Sequence, residues 1–139
     1  MNTAACVICC AVITMITPNY AQKFDDVIDN YKSIIEDTSH ECTDESGVNP
    51  KLMDDLLHKG IYVEDRKLKC YLRCTYLKLG IINPNGHVDE NVLKLTAGTT
   101  DQNILEAVVN NCKNISGNDL CEKSFNLSKC TYNTVHSFH

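Results

Sequence analysis

Six of the nine cysteines, Cys42, Cys70, Cys74, Cys112, Cys121 and Cys130, constrain what this chain can fold into more than any other feature. The other three, Cys6, Cys9 and Cys10, lie in sequence of a different kind. Residues 1–22 carry no Asp, Glu, Lys or Arg, and Ala4 to Ile16 is almost wholly apolar. That run falls short of the ~20 residues that span a bilayer and fits the ~7–15-residue core of a secretory leader. Pro18 and the small residue Ala21 follow it. Residues 1–22 are therefore expected to be a signal peptide cleaved near Ala21 or Gln22, and residues 23–139 a single domain. One departure is that no Lys or Arg precedes the apolar core; the rival reading is a membrane anchor. The even set of six that remains in a small secreted chain reads as three disulfides, and spacing alone does not choose among the many pairings.

Helix geometry removes some of them. Cys70 and Cys74 stand four apart in a helical pattern, which puts their Cβ atoms ~5–6 Å apart on one face. A disulfide needs ~3.5–4.5 Å, so the two should staple one helix to different elements. If Cys121 and Cys130 share a helix, ~13 Å of rise separates them, and they too should find separate partners.

The rest of the chain reads as about six short helices with no convincing strand. Phe24, Val27, Ile28, Tyr31, Ile34 and Ile35 recur at helical spacing. Thr43 to Val48 reads as a loop. Asn49-Pro50 caps a short helix carrying Leu52, Met53, Leu56 and Leu57 and ending at Gly60. A longer helix runs from Asp65 to Leu79, and Asn83-Pro84-Asn85-Gly86 is a turn. Asp89 to Ala97 is a short helix. Thr99 and Gln102 fit a capping box before the stripe Ile104, Leu105, Val108, Val109 and Cys112. Asp119 and Glu122 open the last helix, which holds Phe125 and Cys130.

Composition and motifs narrow the function. With 13 Lys+Arg against 18 Asp+Glu, a net charge of -5 and a pI near 5.4, no basic surface for nucleic acid or anionic membrane is expected. The five His occupy no metal-ligand spacing, and neither a nucleophile elbow nor a phosphate-binding glycine loop is present. No catalytic residue, no metal site and no cofactor is expected, and the chain is not read as an enzyme. Zinc held by Cys-x3-Cys and scattered His is a weak match, since secretion favours disulfides. The Cys70–Leu79 helix has two apolar faces: Cys70, Cys74 and Leu77 on one side, Leu72, Tyr76 and Leu79 on the other. A surface helix needs one stripe, so the second face meets either more core or an internal pocket. Two sequons, at Asn114 and Asn126, are candidates for glycosylation.

The full spacing, Cys42-x27-Cys70-x3-Cys74-x37-Cys112-x8-Cys121-x8-Cys130, resembles the insect odorant-binding proteins, the pheromone/general odorant-binding family. The x3 and x8 intervals are that family's signature. The segment Leu68-Lys69-Cys70-Tyr71-Leu72-Arg73-Cys74, with Leu79-Gly80 and Asn85-Gly86 after it, is similar to the family's central helix and turn. The resemblance implies an all-α bundle of six helices around an apolar pocket, with disulfides Cys42–Cys74, Cys70–Cys121 and Cys112–Cys130. It implies pocket positions at Leu72, Tyr76 and Val109; neighbouring helices suggest Leu56, Leu93, Leu105 and Phe125. The implied function is a secreted carrier of small hydrophobic ligands, sensory or otherwise. An olfactory receptor or a second copy of the chain are further candidate partners, and no membrane insertion is expected once the leader is cleaved. A disulfide-rich interaction or defence protein without a small ligand is the alternative. Thr131 to His139 read as a frayed terminus, with a short lid using Val135 and Phe138 as the rival. His136 and His139 there would make release depend on pH.

Overall fold

A computed structural model describes residues 22–139. The expected leader and its cysteines Cys6, Cys9 and Cys10 lie outside the described residues. Six helices follow in order: α1 (Phe24–Ser46), α2 (Pro50–Lys59), α3 (Arg66–Leu79), α4 (Glu90–Leu95), α5 (Gln102–Cys112) and α6 (Leu120–His136). Among the described residues there is no strand; one isolated antiparallel bridge joins Ile82 to Val88. It closes the Asn83–Gly86 turn, in which Asn83 Oδ1 accepts from the backbone N–H groups of Asn85 and His87, each at 3.0 Å.

Acceptors in the sequence set the helix starts, because the first N–H groups of a helix lack intrahelical partners. Asn49 accepts from Lys51 N at 3.0 Å, Asp65 from Leu68 N at 2.8 Å, and Asp119 from Glu122 N at 2.9 Å. The start of α5 differs from the expected Thr99–Gln102 box. Asp101 is the cap, accepting from Asn103 and Ile104 N–H, while Thr99 Oγ1 accepts from Asp101 N at 3.2 Å. A carboxylate next to the first turn meets the helix dipole better than a hydroxyl. The fourth helix is shorter than Asp89–Ala97: Asp89 caps it, Thr96 ends it, and Leu95 is 78% exposed.

The larger correction is at Thr43–Val48, where α1 continues through Ser46 and stops only at Gly47, whose φ of 67° is left-handed. This last turn has no apolar period to announce it. Its neighbours hold it, since Cys42 bonds Cys74 of α3 and Glu45 pairs with Arg73 at 3.1 Å.

Three disulfides link the helices: Cys42–Cys74 joins α1 to α3, Cys70–Cys121 joins α3 to α6, and Cys112–Cys130 joins α5 to α6. These are the pairs named from the resemblance. Cys70 and Cys74 do staple α3 to two partners, and this explains the two apolar faces of α3: it packs against both α1 and α6. Beside Cys70, the buried Lys69 ammonium bonds Glu122 at 2.7 Å, pairs also with Glu64, and lies 5.0 Å from the centre of the Phe125 ring. A charge at that depth is tolerated because it is paired and hydrogen-bonded.

Candidate ligand-binding cavity

Two stripes at identical helical spacing face one another across the bundle. On α1 the stripe is Phe24, Val27, Ile28 and Tyr31; on α6 it is Ser128, Thr131, Tyr132 and Val135. Each follows i, i+3, i+4, i+7, the positions that share one side of a helix. Leu56 and Leu57 from the end of α2, Tyr62 from the link to α3, Tyr76 of α3 and Ala97 after α4 complete the wall. The space they line is about 50 Å³ and partly open to the surface. Its wall is largely apolar, and the polar groups are hydroxyls.

Tyr62 and Ser128 hydrogen-bond at 3.0 Å. Tyr76 lies near both Ser128 and Tyr31, so the phenols influence one another. Burial pushes the ionisation of Tyr31 and Tyr62 well above the usual phenol value of 10.0, and that of Tyr76 up in the same direction. All three therefore stay neutral at physiological pH and can donate or accept. Thr131 Oγ1 is buried with no hydrogen-bond partner among the described residues. Where α1 meets α6, the Phe24 ring stands edge-on to Tyr132 at 5.3 Å and to His136 at 4.9 Å, and His136 stacks on Tyr132 at 6.0 Å.

Of the residues expected to line a pocket, Tyr76 and Leu56 do so here. Leu72, Phe125, Leu93, Val109 and Leu105 do not. Leu72 and Phe125 are buried with Leu68 and Tyr71 in the cluster around α3. One turn of helix separates Leu72 from Tyr76, and only Tyr76 of the two lines the cavity. Leu93 and Val109 belong to the second cluster, which also holds Ile104, Val108, Cys112 and the cavity-wall residues Val27, Tyr76 and Val135, but they do not line the space themselves; Leu105 is buried on α5. The stripe on α5 is occupied in packing against α4 and α6 and does not reach the cavity.

The end of the chain also differs from a frayed terminus. Helix α6 runs on to His136, and Val135 is a cavity wall at 3% exposure, whereas Phe138 is 48% exposed. Of the two sequons, Asn114 is exposed in the link after α5, while Asn126 sits on α6 with its amide donating to Ser116 O at 2.9 Å. Among the described residues no group of three or more His, Cys, Asp or Glu is placed to hold a metal ion, and no helix is long and apolar enough to cross a membrane.

A disulfide-linked bundle of six helices around an apolar cavity defines a class of small helical pocket proteins. Residues 25–134 match the PBP/GOBP family, and the chain belongs to that family. It is 30% identical to the B1 protein of Tenebrio molitor over 99 residues, covering 70% of this chain and 75% of that protein. The fold is shared with odorant-binding protein 4 of Chrysopa pallens, with a TM-score of 0.62 at 22% identity over 80% of this chain and 94% of the other. An odorant-binding protein of Drosophila melanogaster gives 0.65 at 18% identity over 80% and 97%. The resemblance to insect odorant-binding proteins read from the cysteine spacing is thus confirmed at the level of family and fold.

Proposed function

We propose that this chain is a secreted carrier that takes small, poorly soluble molecules out of water and into the cavity between α1, α2 and α6. The observation that carries the reading is a small, largely apolar cavity with a few neutral hydroxyls, in a member of this family. Burial of a ligand releases ~25 cal/mol per Å² of apolar surface removed from water. One ligand oxygen can bond the Tyr62–Ser128 pair or the unpartnered Thr131 hydroxyl, which would supply orientation more than affinity. Affinity near micromolar, about -8 kcal/mol, is the expected scale. Three disulfides suit an oxidising compartment, and residues 1–22 are proposed as the leader that takes the chain there. An olfactory receptor, or a second copy of the chain in a homodimer, is the candidate protein partner.

The cavity is tight. An apolar cavity of about 150 Å³ is the size that admits benzene, so ligand entry requires this one to widen. Saturable binding of an apolar fluorescent dye to the oxidised protein, displaced by odorant-sized alcohols or ketones, supports the carrier. Absence of binding in a correctly bridged protein would instead support an interaction protein with a filled core.

A further inference from the structure

We propose that the binding site continues past Leu57 into the groove between α1 and α2, and that Leu57 limits the length of ligand the protein accepts. This rests on the carrier reading. Among the described residues, Leu57 is the one that lines both the cavity and the groove. It is 7% exposed. On one side lies the small, partly open cavity of about 50 Å³; on the other lies a groove of about 580 Å³. The groove has an apolar floor of Ile35, Met53 and Tyr71 and a charged rim that includes Asp29, Lys32 and Glu36.

The covalent framework leaves this wall free to move. The disulfides tie α1 to α3, α3 to α6 and α5 to α6, and none reaches α2. Of the walls that could yield to a guest, α2 is held to α1 by packing and by one exposed hydrogen bond, between Lys32 Nζ and His58 Nε2 at 3.3 Å. A rotation of the Leu57 side chain or a small outward shift of α2 joins the two spaces.

The chemistry of the joined site fits a straight-chain molecule with one terminal oxygen. The oxygen meets the Tyr62–Ser128 pair, and the tail passes Leu57 to lie on Ile35 and Met53. The charged rim stays in water beside the tail.

The test is displacement of N-phenyl-1-naphthylamine by straight-chain primary alcohols from hexanol to tetradecanol. Wild type, Leu57→Ala and Met53→Lys are compared, with helical circular dichroism confirming each fold. In Leu57→Ala the preferred alcohol moves to longer chains, and tetradecanol gains about tenfold relative to hexanol. In Met53→Lys, a change on the half-buried groove floor, long alcohols weaken about tenfold while hexanol keeps its affinity. An unchanged chain-length optimum in Leu57→Ala, or equal weakening of every alcohol in Met53→Lys, overturns the extension while leaving the carrier standing. Failure of the dye and of every alcohol to bind the wild type overturns the carrier reading, and the extension with it.

Discussion

Tyr31, Tyr62 and Tyr76 place three phenols in one apolar wall, and their chemistry follows from burial. A buried phenol resists ionisation because the phenolate is poorly solvated, and all three are shifted upward from 10.0. A group whose pKa is raised on folding contributes stability that is intact below its unfolded value and lost as pH rises through the folded one. The account therefore predicts that stability falls above about pH 10. Lys69, held protonated by Glu122 and Glu64, acts in the same direction. Tyrosinate absorbance, which is easily read in a chain without Trp, should show these phenols titrating late and together with unfolding. Early, independent titration of all the tyrosines would contradict the buried cluster. Tyr62→Phe removes one half of the Tyr62–Ser128 bond. It should cost an alcohol ligand about 1 kcal/mol, roughly fivefold, and leave an alkane of the same length unaffected; paired displacement titrations measure the difference.

The segment after α4 is clamped onto α1 at Gly98. Its carbonyl accepts from the Gln22 and Asn30 side chains at 3.3 and 3.1 Å. Its φ is +77°, and a Cβ there would meet the Val27 carbonyl oxygen at 2.4 Å. Gly98→Ala meets both a left-handed backbone and a fixed neighbour. It should destabilise by about 2 kcal/mol or more, read as a lower urea midpoint, and should loosen the adjoining cavity wall at Ala97. Elements like α2 and α3 were legible in the sequence because caps, glycines and apolar period agree. The end of α1 was not, since Thr43, Asp44, Glu45 and Ser46 have no apolar face and their helix depends on Cys42–Cys74 and Glu45–Arg73. The cavity was half legible. Phe24, Val27, Ile28 and Tyr31 read as a stripe, but a stripe facing core and one facing a cavity look alike. The matching stripe of Ser128, Thr131, Tyr132 and Val135 was there to be found at the same spacing, masked by two hydroxyl residues and by the reading of the tail as frayed. Tyr62, in a link, has no periodicity to betray it.

The whole molecule is a small core held by three covalent ties of different reach. Cys70–Cys121 spans 51 residues of sequence and Cys112–Cys130 spans 18. In the chain-entropy description the longer loop contributes more, by about 1 kcal/mol for this ratio. Removing Cys70–Cys121 by paired serine substitutions should therefore cost more stability than removing Cys112–Cys130, as urea unfolding would show; the reverse order would place the main role of the ties in native packing. The cavity is a property of the same scale, since four helices and two links must close around it.

The most direct measurement is a dye-binding titration on three folded, oxidised proteins: the wild type, Ala97→Leu, which adds carbon atoms inside a cavity of about 50 Å³, and Val109→Ala, at a buried position of α5 that does not line that cavity. The account predicts saturable binding by the wild type, at least tenfold weaker binding by Ala97→Leu, and unchanged affinity for Val109→Ala despite a stability loss of about 1–3 kcal/mol. Wild-type affinity in Ala97→Leu together with lost binding in Val109→Ala would place the site around α5 and contradict the cavity between α1, α2 and α6.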